Sequence, residues 1–281
     1  MSVLAIRKWV ETSTSEYTDL KLSLGFIVAT LFAAEFTRLC VKWVLKDPQG
    51  LTRRLIMECL AAGEMCGACF ELCVIADNYG IWMYAVTLYA MCLWWAIFWN
   101  DATACPYTHV EDFVSGHSGF NMTVLIILIE ILGGIAAYPL YVKKFWLYKF
   151  IPIHAQRIYR NRCPADLTLP AWQGALVEGV GTCICQLCGR VMGKFNWKLS
   201  ALVVNFVNVS LVVAAWELSG GYYNPVLATA LQYNCGEVSR TTHFTVYWGG
   251  AIGGSILSVL LWNHRTVHYY LMYGPPKPKT E

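Results

Sequence analysis

Apolar residues are gathered along this chain into long runs that are separated by short polar stretches. About 20 apolar residues are enough for a helix to cross the hydrocarbon core of a bilayer. Seven runs meet this requirement approximately: 20–45, 52–76, 80–100, 122–142, 171–192, 198–217 and 244–262. Two shorter runs of about nine residues follow Pro106 and Pro225, which is enough for half a span. The pattern predicts an all-α polytopic membrane protein with two half-length helices.

The second half-length helix opens with the tripeptide Asn224-Pro225-Val226. Asn is a good N-cap and Pro suits the first helical position, so the tripeptide is typical of a helix start. This start lies between apolar runs and would place the positive end of a helix dipole at membrane depth. Backbone ends are tolerated there only beside a cavity or inside protein. The tripeptide therefore favours a pore or a carrier over a simple membrane anchor.

The second half of the chain repeats landmarks of the first at a nearly constant distance. Three pairs of landmarks lie 119 or 120 residues apart: Glu58 and Glu178, Cys105-Pro106-Tyr107 and Asn224-Pro225-Val226, and Gly133-Gly134 and Gly253-Gly254. Each copy holds three full spans and one half-helix. Because three is an odd number, the two copies insert with opposite orientation, as in many transport proteins.

The repeat divides the chain into five parts. They are an N-terminal segment with an extra apolar helix (1–50), a first repeat (51–142), a basic connecting segment (143–170), a second repeat (171–265) and a polar tail (266–281). Glu64 and Glu71 lie seven residues apart on one face of the second run. We expect that face to meet protein, such as Glu35 and Arg38 of the extra helix, because charges in a membrane segment face the interior.

The composition agrees with a membrane protein. Only 14% of the residues are charged and 57% are hydrophobic, whereas about 25% are charged in a typical soluble domain. The net charge of +3 does not suggest a nucleic-acid partner. Most of the twelve cysteines lie in apolar runs, where cysteine behaves as a small hydrophobic residue, among them Cys59, Cys66, Cys69, Cys73, Cys92, Cys183, Cys185 and Cys188. We therefore predict neither a metal site nor a cofactor from the pairs Cys66-x-x-Cys69 and Cys185-x-x-Cys188.

On these motifs the chain resembles the aquaporin (major intrinsic protein) family over roughly residues 50–265. That family has two inverted three-helix repeats, each with a Glu in its first helix and an Asn-Pro-Ala half-helix. Cys105-Pro106-Tyr107 and Asn224-Pro225-Val226 occupy the two motif positions and both depart from Asn-Pro-Ala. The resemblance implies that the half-helices meet end to end at the membrane midplane, with both N-termini facing a pore.

The degenerate first motif, the extra helix and the many cysteines resemble the unorthodox superaquaporin branch. Val246-Tyr247-Trp248 and the stretch from Tyr270 to Gly274 look closest to its insect members with a Cys-Pro-Tyr motif. The resemblance implies a homotetramer whose other partners are lipid and small neutral solutes. It also implies an intracellular membrane, notably that of the endoplasmic reticulum, with the plasma membrane as the alternative.

The resemblance gives each motif residue an expected role. Pro106 and Pro225 would fix the two helix starts, and Asn224 would cap the second and offer an amide to the pore. Cys105 would be a poor cap, because a thiol is a weak hydrogen-bonding group. Tyr107 and Val226 replace a small Ala and would narrow or repack the junction.

The resemblance also locates a selectivity constriction, which falls on Ala85, Val212, Gly221 and Leu227. Leu227 stands where water-selective relatives have an Arg, so this constriction would be apolar and would lack a fixed cation. We expect weak water selectivity and passage of small uncharged solutes such as glycerol or hydrogen peroxide. Glu58 and Glu178 would be structural, each buried beside a half-helix and accepting hydrogen bonds from loop backbone.

The orientation in the membrane stays open at this point. Positive residues favour the cytoplasmic side. The aquaporin arrangement would place the connecting segment on the opposite side, although it carries six basic residues: Lys143, Lys144, Lys149, Arg157, Arg160 and Arg162. Either this segment translocates regardless of its charge, or one of the apolar runs does not span.

Three other functions account for the sequence less well than a channel. A seven-helix receptor would explain seven spans but neither the repeat nor the two half-helices. A membrane hydrolase would use the cluster His109, Glu111, Asp112 and His117, but its spacing fits no compact set of ligands on a helix. A non-conducting aquaporin relative with a structural role is the strongest alternative, because both motifs are altered. We expect a channel and no enzyme.

Overall fold

The computed structural model describes residues 3–99, 102–159 and 163–273, with side chains from residue 18 onward except that of Tyr159. Within these ranges the regular structure is helical, and six helices are long and apolar enough to cross a membrane. The predicted all-α polytopic class is confirmed. The tail beyond Tyr273, including Gly274, and two of the basic residues, Arg160 and Arg162, lie outside the described residues.

The helices follow one another in the order that the apolar runs predict. They are α1 (Val3–Val44), α2 (Leu51–Phe98), α3 (Pro106–Val114), α4 (Phe120–Ala137), α5 (Lys143–Trp146), α6 (Pro152–Tyr159), α7 (Ala171–Met192), α8 (Trp197–Ala215), α9 (Pro225–Gln232), α10 (Arg240–His243), α11 (Ala251–Asn263) and α12 (Arg265–Tyr273). Turns of π-helix at Tyr138–Val142 and Phe244–Gly250 join α4 to α5 and α10 to α11. Each junction therefore lies within one continuous span.

Two of the seven predicted spans are the two arms of α2. Gly80 interrupts this 48-residue helix with φ 79° and ψ 175°, a conformation that only glycine adopts readily. The arms fold back on each other, because Trp95 Nε1 of the second arm donates to Glu64 Oε1 of the first at 3.3 Å. In a straight helix these residues would be about 46 Å apart. The runs 52–76 and 80–100 are thus a helical hairpin with one residue between its arms.

The two half-helices, α3 and α9, begin at Pro106 and Pro225 and are nine and eight residues long. They contact each other and lie between the two repeats, since α3 packs on α4 and α11 while α9 packs on α2 and α4. Glycine permits the closest helix contacts. A side chain on Gly133 would clash with the Cys59 carbonyl, and one on Gly254 would clash with Gly179.

The extra helix α1 packs against α2 through buried polar groups. Arg38 Nη1 lies 2.6 Å from Glu64 Oε2, and Arg38 Nε lies 2.8 Å from Glu35 Oε2. A second cluster joins Ser23 Oγ to Glu71 Oε1 at 2.6 Å. The expectation that Glu64 and Glu71 face the extra helix is confirmed. An ion pair sealed inside protein offsets the cost of charges at membrane depth.

The connecting segment is tied to both repeats. A disulfide joins Cys163 to Cys235, the latter lying just after the second half-helix. Arg157 Nη2 of α6 lies 2.5 Å from Asp77 Oδ2 in the first arm of α2. Because these links reach both repeats, the connecting segment covers the end of the molecule where the second half-helix terminates.

Candidate functional site

The backbones of the two half-helix starts are nearly the same. Cys105 has φ −143° and ψ 113°, and Asn224 has φ −147° and ψ 114°. The preceding residues, Ala104 and Tyr223, have φ of 51° and 46°. Positive φ is strained for residues other than glycine and persists only where the surroundings impose it. Both starts are therefore held by external contacts.

Those contacts come from the two repeated acids. Glu58 Oε2 accepts hydrogen bonds from the Thr103 and Ala104 amides at 3.0 and 2.9 Å. Glu178 accepts from the Tyr222 and Tyr223 amides at 3.1 and 2.6 Å, and from Ser219 Oγ at 2.6 Å. Each carboxylate is buried and accepts the hydrogen bonds of the backbone amides in the strained turn before its half-helix.

Asn224 caps the second half-helix and also reaches the first. Its Oδ1 accepts from the Val226 and Leu227 amides at 2.9 and 3.3 Å. Its Nδ2 donates to the Ala104 carbonyl at 2.9 Å. The amide therefore uses both of its ends, one for the cap and one for a bond that joins the two half-helix starts.

Cys105 makes no side-chain bond to its helix start. Thr108 Oγ1 instead donates to the Cys105 carbonyl at 2.7 Å and lies 2.9 Å from Thr103 Oγ1. The first half-helix therefore begins without a side-chain cap, although the Thr108 amide donates to the Cys105 carbonyl at 3.2 Å.

The first half-helix is anchored by a buried cluster of two acids and a histidine. Glu58, His109 and Glu130 are buried, and one ligand atom of each lies within 4.8 Å of the others. A His with two carboxylates is a donor set that zinc accepts. However, His109 Nε2 already lies 3.2 Å from Glu130 Oε1 and 3.3 Å from Thr103 Oγ1. Through these hydrogen bonds the cluster links α3 to α2 and α4, which is a sufficient structural role for it.

A cavity of about 210 Å³, here called the lumen, leads to the junction of the half-helices. Four of the predicted pore and constriction residues line it beyond Asn224: Tyr107, Val212, Gly221 and Leu227. Ala85 instead lies in the core, and the lumen wall on that helix is formed by Tyr84 and Leu88. Val226 is 1% exposed and packs against Gly134. Of the two bulky replacements, Tyr107 faces the lumen.

Sulfur atoms and one further amide complete the lumen wall. Four free cysteines line it: Cys69, Cys73, Cys92 and Cys185. Asn208 of α8 also lines it, and its buried Oδ1 has no partner among the described residues. Asn208 was visible in the sequence as a polar residue inside an apolar run, which signals an interior position.

A larger cavity of about 420 Å³, here called the vestibule, adjoins the lumen and is lined in part by Arg157, Asp77 and both disulfide cysteines. Four side chains line both cavities and form the neck between them: Cys73, Asp166, Trp216 and Leu231. Burial raises the pKa of Asp166 above its ordinary value, although the Tyr222 hydroxyl and the charge of Arg157 oppose the shift. Nothing in the sequence pattern pointed to Arg157 or Asp166, because both lie in the connecting segment.

The polar residues after the first motif do not form one cluster. His109 faces Glu58 and Glu130, whereas Glu111 lies 2.6 Å from Arg190 Nη2 and accepts from Ser255 Oγ at 2.5 Å. Glu111 thus ties the far end of the first half-helix to the second repeat. Within the described residues the set His109, Glu111, Asp112 and His117 offers no hydrolase-type metal site.

Similarity to known proteins agrees with this geometry. The chain is 30% identical to aquaporin-11 of Milnesium tardigradum over 235 residues, covering 83% of this chain and 84% of that one. It is 25% identical to the putative aquaporin-12A of Homo sapiens over 264 residues, covering 91% and 85% of the two chains. It is 27% identical to the probable aquaporin SIP2-1 of Arabidopsis thaliana over 183 residues, covering 63% and 70%. No protein-family model matches the chain. With two half-helices joined at their starts and relatives of this kind, the chain belongs to the aquaporin family, in its unorthodox superaquaporin branch.

Proposed function

We propose that this membrane protein is a channel for water and small uncharged solutes, including glycerol and hydrogen peroxide. The observation that supports this most directly is the bond between Asn224 Nδ2 and the Ala104 carbonyl, at the inner end of the lumen. It holds two helix N-termini together, so two positive dipole ends face one route. Such an arrangement repels cations and protons while leaving amide donors for a neutral solute.

The lumen wall supports neutral solutes beyond water. Val212, Gly221 and Leu227 provide an apolar surface without a fixed cation. A lumen that combines this apolar surface with the amides of Asn208 and Asn224 suits a solute that has a carbon face and hydroxyl groups. We therefore expect glycerol to pass at a rate comparable to that of water.

Flux through purified full-length protein in vesicles tests this proposal. We expect both osmotic water flow and glycerol uptake to exceed those of protein-free vesicles. Asn224→Asp should abolish both, because it places a carboxylate oxygen against the Ala104 carbonyl. Cys105→Ser, which alters a side chain without a cap bond, should retain most of the flux. Equal rates with and without protein would rule out a channel.

A non-conducting relative with a structural role is the second possibility, and Tyr107 favours it. This large side chain lines the lumen beside Asn224, where the family resemblance expects a small residue. Tyr107→Ala separates the two functions. A variant that conducts while the wild type does not would identify a closed lumen and a structural role.

We further propose an intracellular membrane, that of the endoplasmic reticulum, for this multi-pass protein. The Cys163–Cys235 disulfide supports an oxidising compartment on the side of the connecting segment. The basic segment would then translocate despite its charge, with the last span ending on the cytoplasmic side. A glycosylation acceptor inserted beside Tyr148 should be modified, because this segment would face the lumen of the endoplasmic reticulum. An unmodified site would indicate the opposite orientation in the membrane.

The remaining expectations are proposals from the family resemblance. We propose a homotetramer without catalytic activity, closest in its first motif to the insect members with Cys-Pro-Tyr. The mass of the detergent-solubilised protein measured by light scattering tests the assembly. A particle that contains one chain would contradict the tetramer.

A further inference from the structure

The neck is the place where the lumen wall changes its chemistry. Of the described residues that line the lumen, Asp166 alone carries a charged side chain. It comes from the connecting segment and therefore lies outside both repeats. The other three residues of the neck, Cys73, Trp216 and Leu231, bear no charge.

The Asp166 carboxylate is held in a fixed orientation. Its Oδ2 accepts from the Tyr222 hydroxyl at 2.6 Å and from Gln232 Nε2 at 2.9 Å. Its amide donates to Gln232 Oε1 at 3.1 Å. Both side-chain bonds found among the described residues end on Oδ2, so Oδ1 is the oxygen left to face a solute.

A negative charge at the neck has a physical reason. The two half-helix N-termini repel cations but attract anions, because both present the positive end of a dipole. A lumen that ends on two such dipoles needs a separate barrier against anions. Leu227, one turn into the second half-helix, offers no charge of either sign.

We propose that Asp166 is a specificity-determining residue of the lumen: it excludes anions at the neck and accepts a hydrogen bond from neutral polyols. This inference rests on the proposed function of the chain as a channel. A small anion meets the carboxylate before it reaches the dipoles. Glycerol loses much of its hydration in the neck and regains one bond at Oδ1, whereas water keeps its bonds to neighbouring water molecules.

Asp166→Asn reverses this chemistry without changing the volume of the neck. The Asn oxygen would take the place of Oδ2, because Tyr222 and Gln232 both donate there. Its Nδ2 would then replace Oδ1, so a neutral donor would face the solute in place of a charged acceptor. Asp166→Glu retains the charge and serves as the conservative variant.

Thr168→Ala is the matched control. Thr168 Oγ1 donates to the Glu217 carbonyl at 2.7 Å, so this change loosens the same segment. Thr168 lines neither the lumen nor the vestibule among the cavities of the described residues. A general loosening of the segment would therefore affect both variants.

The experiment measures nitrate, glycerol and water permeation into proteoliposomes at low ionic strength, with valinomycin to balance the charge of nitrate. We expect Asp166→Asn to raise nitrate permeation at least tenfold. A nitrate ion in the neck would pass directly beside the Asp166 carboxylate, and two like charges in contact repel each other strongly where water is scarce. The ratio of glycerol to water permeation should fall about fivefold, because a neutral group that forms a weaker hydrogen bond replaces the charged acceptor. Asp166→Glu and Thr168→Ala should stay close to the wild type in both.

The outcomes separate this inference from the proposed function. A nitrate-tight Asp166→Asn variant overturns the inference, as does a Thr168→Ala variant that leaks nitrate equally. If Asp166→Asn fails to assemble, Asp166→Ala tests the loss of charge in a wider neck. Nitrate permeation that then rises more than water permeation supports the inference, and an equal rise of both overturns it. A wild-type protein that passes neither water nor glycerol overturns both the channel and the role of Asp166, whereas a failure confined to the variants leaves the channel intact.

Discussion

The two half-helix starts share a backbone and differ in their side chains. Cys105 and Asn224 agree within a few degrees in φ and ψ, yet Asn224 makes a cap and a bond across the junction while Cys105 makes no cap bond. The shared geometry therefore comes from what both starts possess, a proline and a buried glutamate. The Asn is needed to join the two starts, and one Asn is enough to supply that bond.

The far ends of the half-helices differ as well. The second is followed by Cys235, which the disulfide joins to the connecting segment. The first ends near Glu111, which is paired with Arg190 of the second repeat. One half-helix is thus fixed by a covalent bond on one side of the membrane, and the other by an ion pair on the opposite side.

Loss of the disulfide that fixes the second half-helix should lower the stability of the protein most. The bond closes a loop of 72 residues, and a loop of this length is worth about 4 kcal/mol of folding free energy. Cys163→Ser should therefore lower the thermal stability strongly in detergent, as measured by loss of the monodisperse chromatographic peak. Cys188→Ser, which changes a free cysteine on α7, should have little effect. Equal stability of both variants would show that the connecting segment does not hold the second half-helix.

Replacing the repeated acids should have the next largest effect. Glu178 accepts three hydrogen bonds and Glu58 accepts two from the strained turns. Glu178→Gln should cost about 3 kcal/mol, because donors face both of its oxygens and the amide nitrogen would meet one of them. Glu58→Leu should cost about 2 kcal/mol, because the Thr103 and Ala104 amides would lose their shared acceptor. The same thermal assay measures both. If Glu58→Leu proved neutral, the His109–Glu130 link would be sufficient to hold the first start.

The smallest losses of stability are expected for the two motif residues, Asn224 and Cys105, and these losses should differ. Asn224→Ala removes two cap bonds and the junction bond, which together are worth about 2 kcal/mol. Cys105→Ala removes only buried sulfur and should cost less than about 1 kcal/mol. Equal losses for the two variants would contradict the view that only Asn224 joins the half-helices.

The sequence predicted the elements of this fold well because membrane helices carry long local signals. The runs of apolar residues, the two prolines and the offset of about 120 residues located the spans and both half-helices. The hairpin at Gly80 was visible only as a short gap between two runs. Its reversal depends on a single glycine conformation and on the contact between Trp95 and Glu64.

The parts of the site that escaped prediction depend on contacts between distant segments. Asp166 and Arg157 reach the vestibule from the connecting segment, which has no repeat to align it. The disulfide cysteines lie 72 residues apart without a local pattern, although both stand outside the apolar runs. Glu130 carried a usable signal, since an acid inside an apolar run requires an interior partner.

The central claim is that the lumen beside the joined half-helices is the conducting route. Its most direct test is glycerol uptake by vesicles that contain wild-type protein, Leu227→Trp or Phe206→Trp. Leu227 lines the lumen, whereas Phe206 is exposed on the outer face of α8, so the same side chain is added inside and outside the route. The account predicts uptake through the wild type and Phe206→Trp and almost none through Leu227→Trp. Uptake that Leu227→Trp leaves unchanged would contradict it.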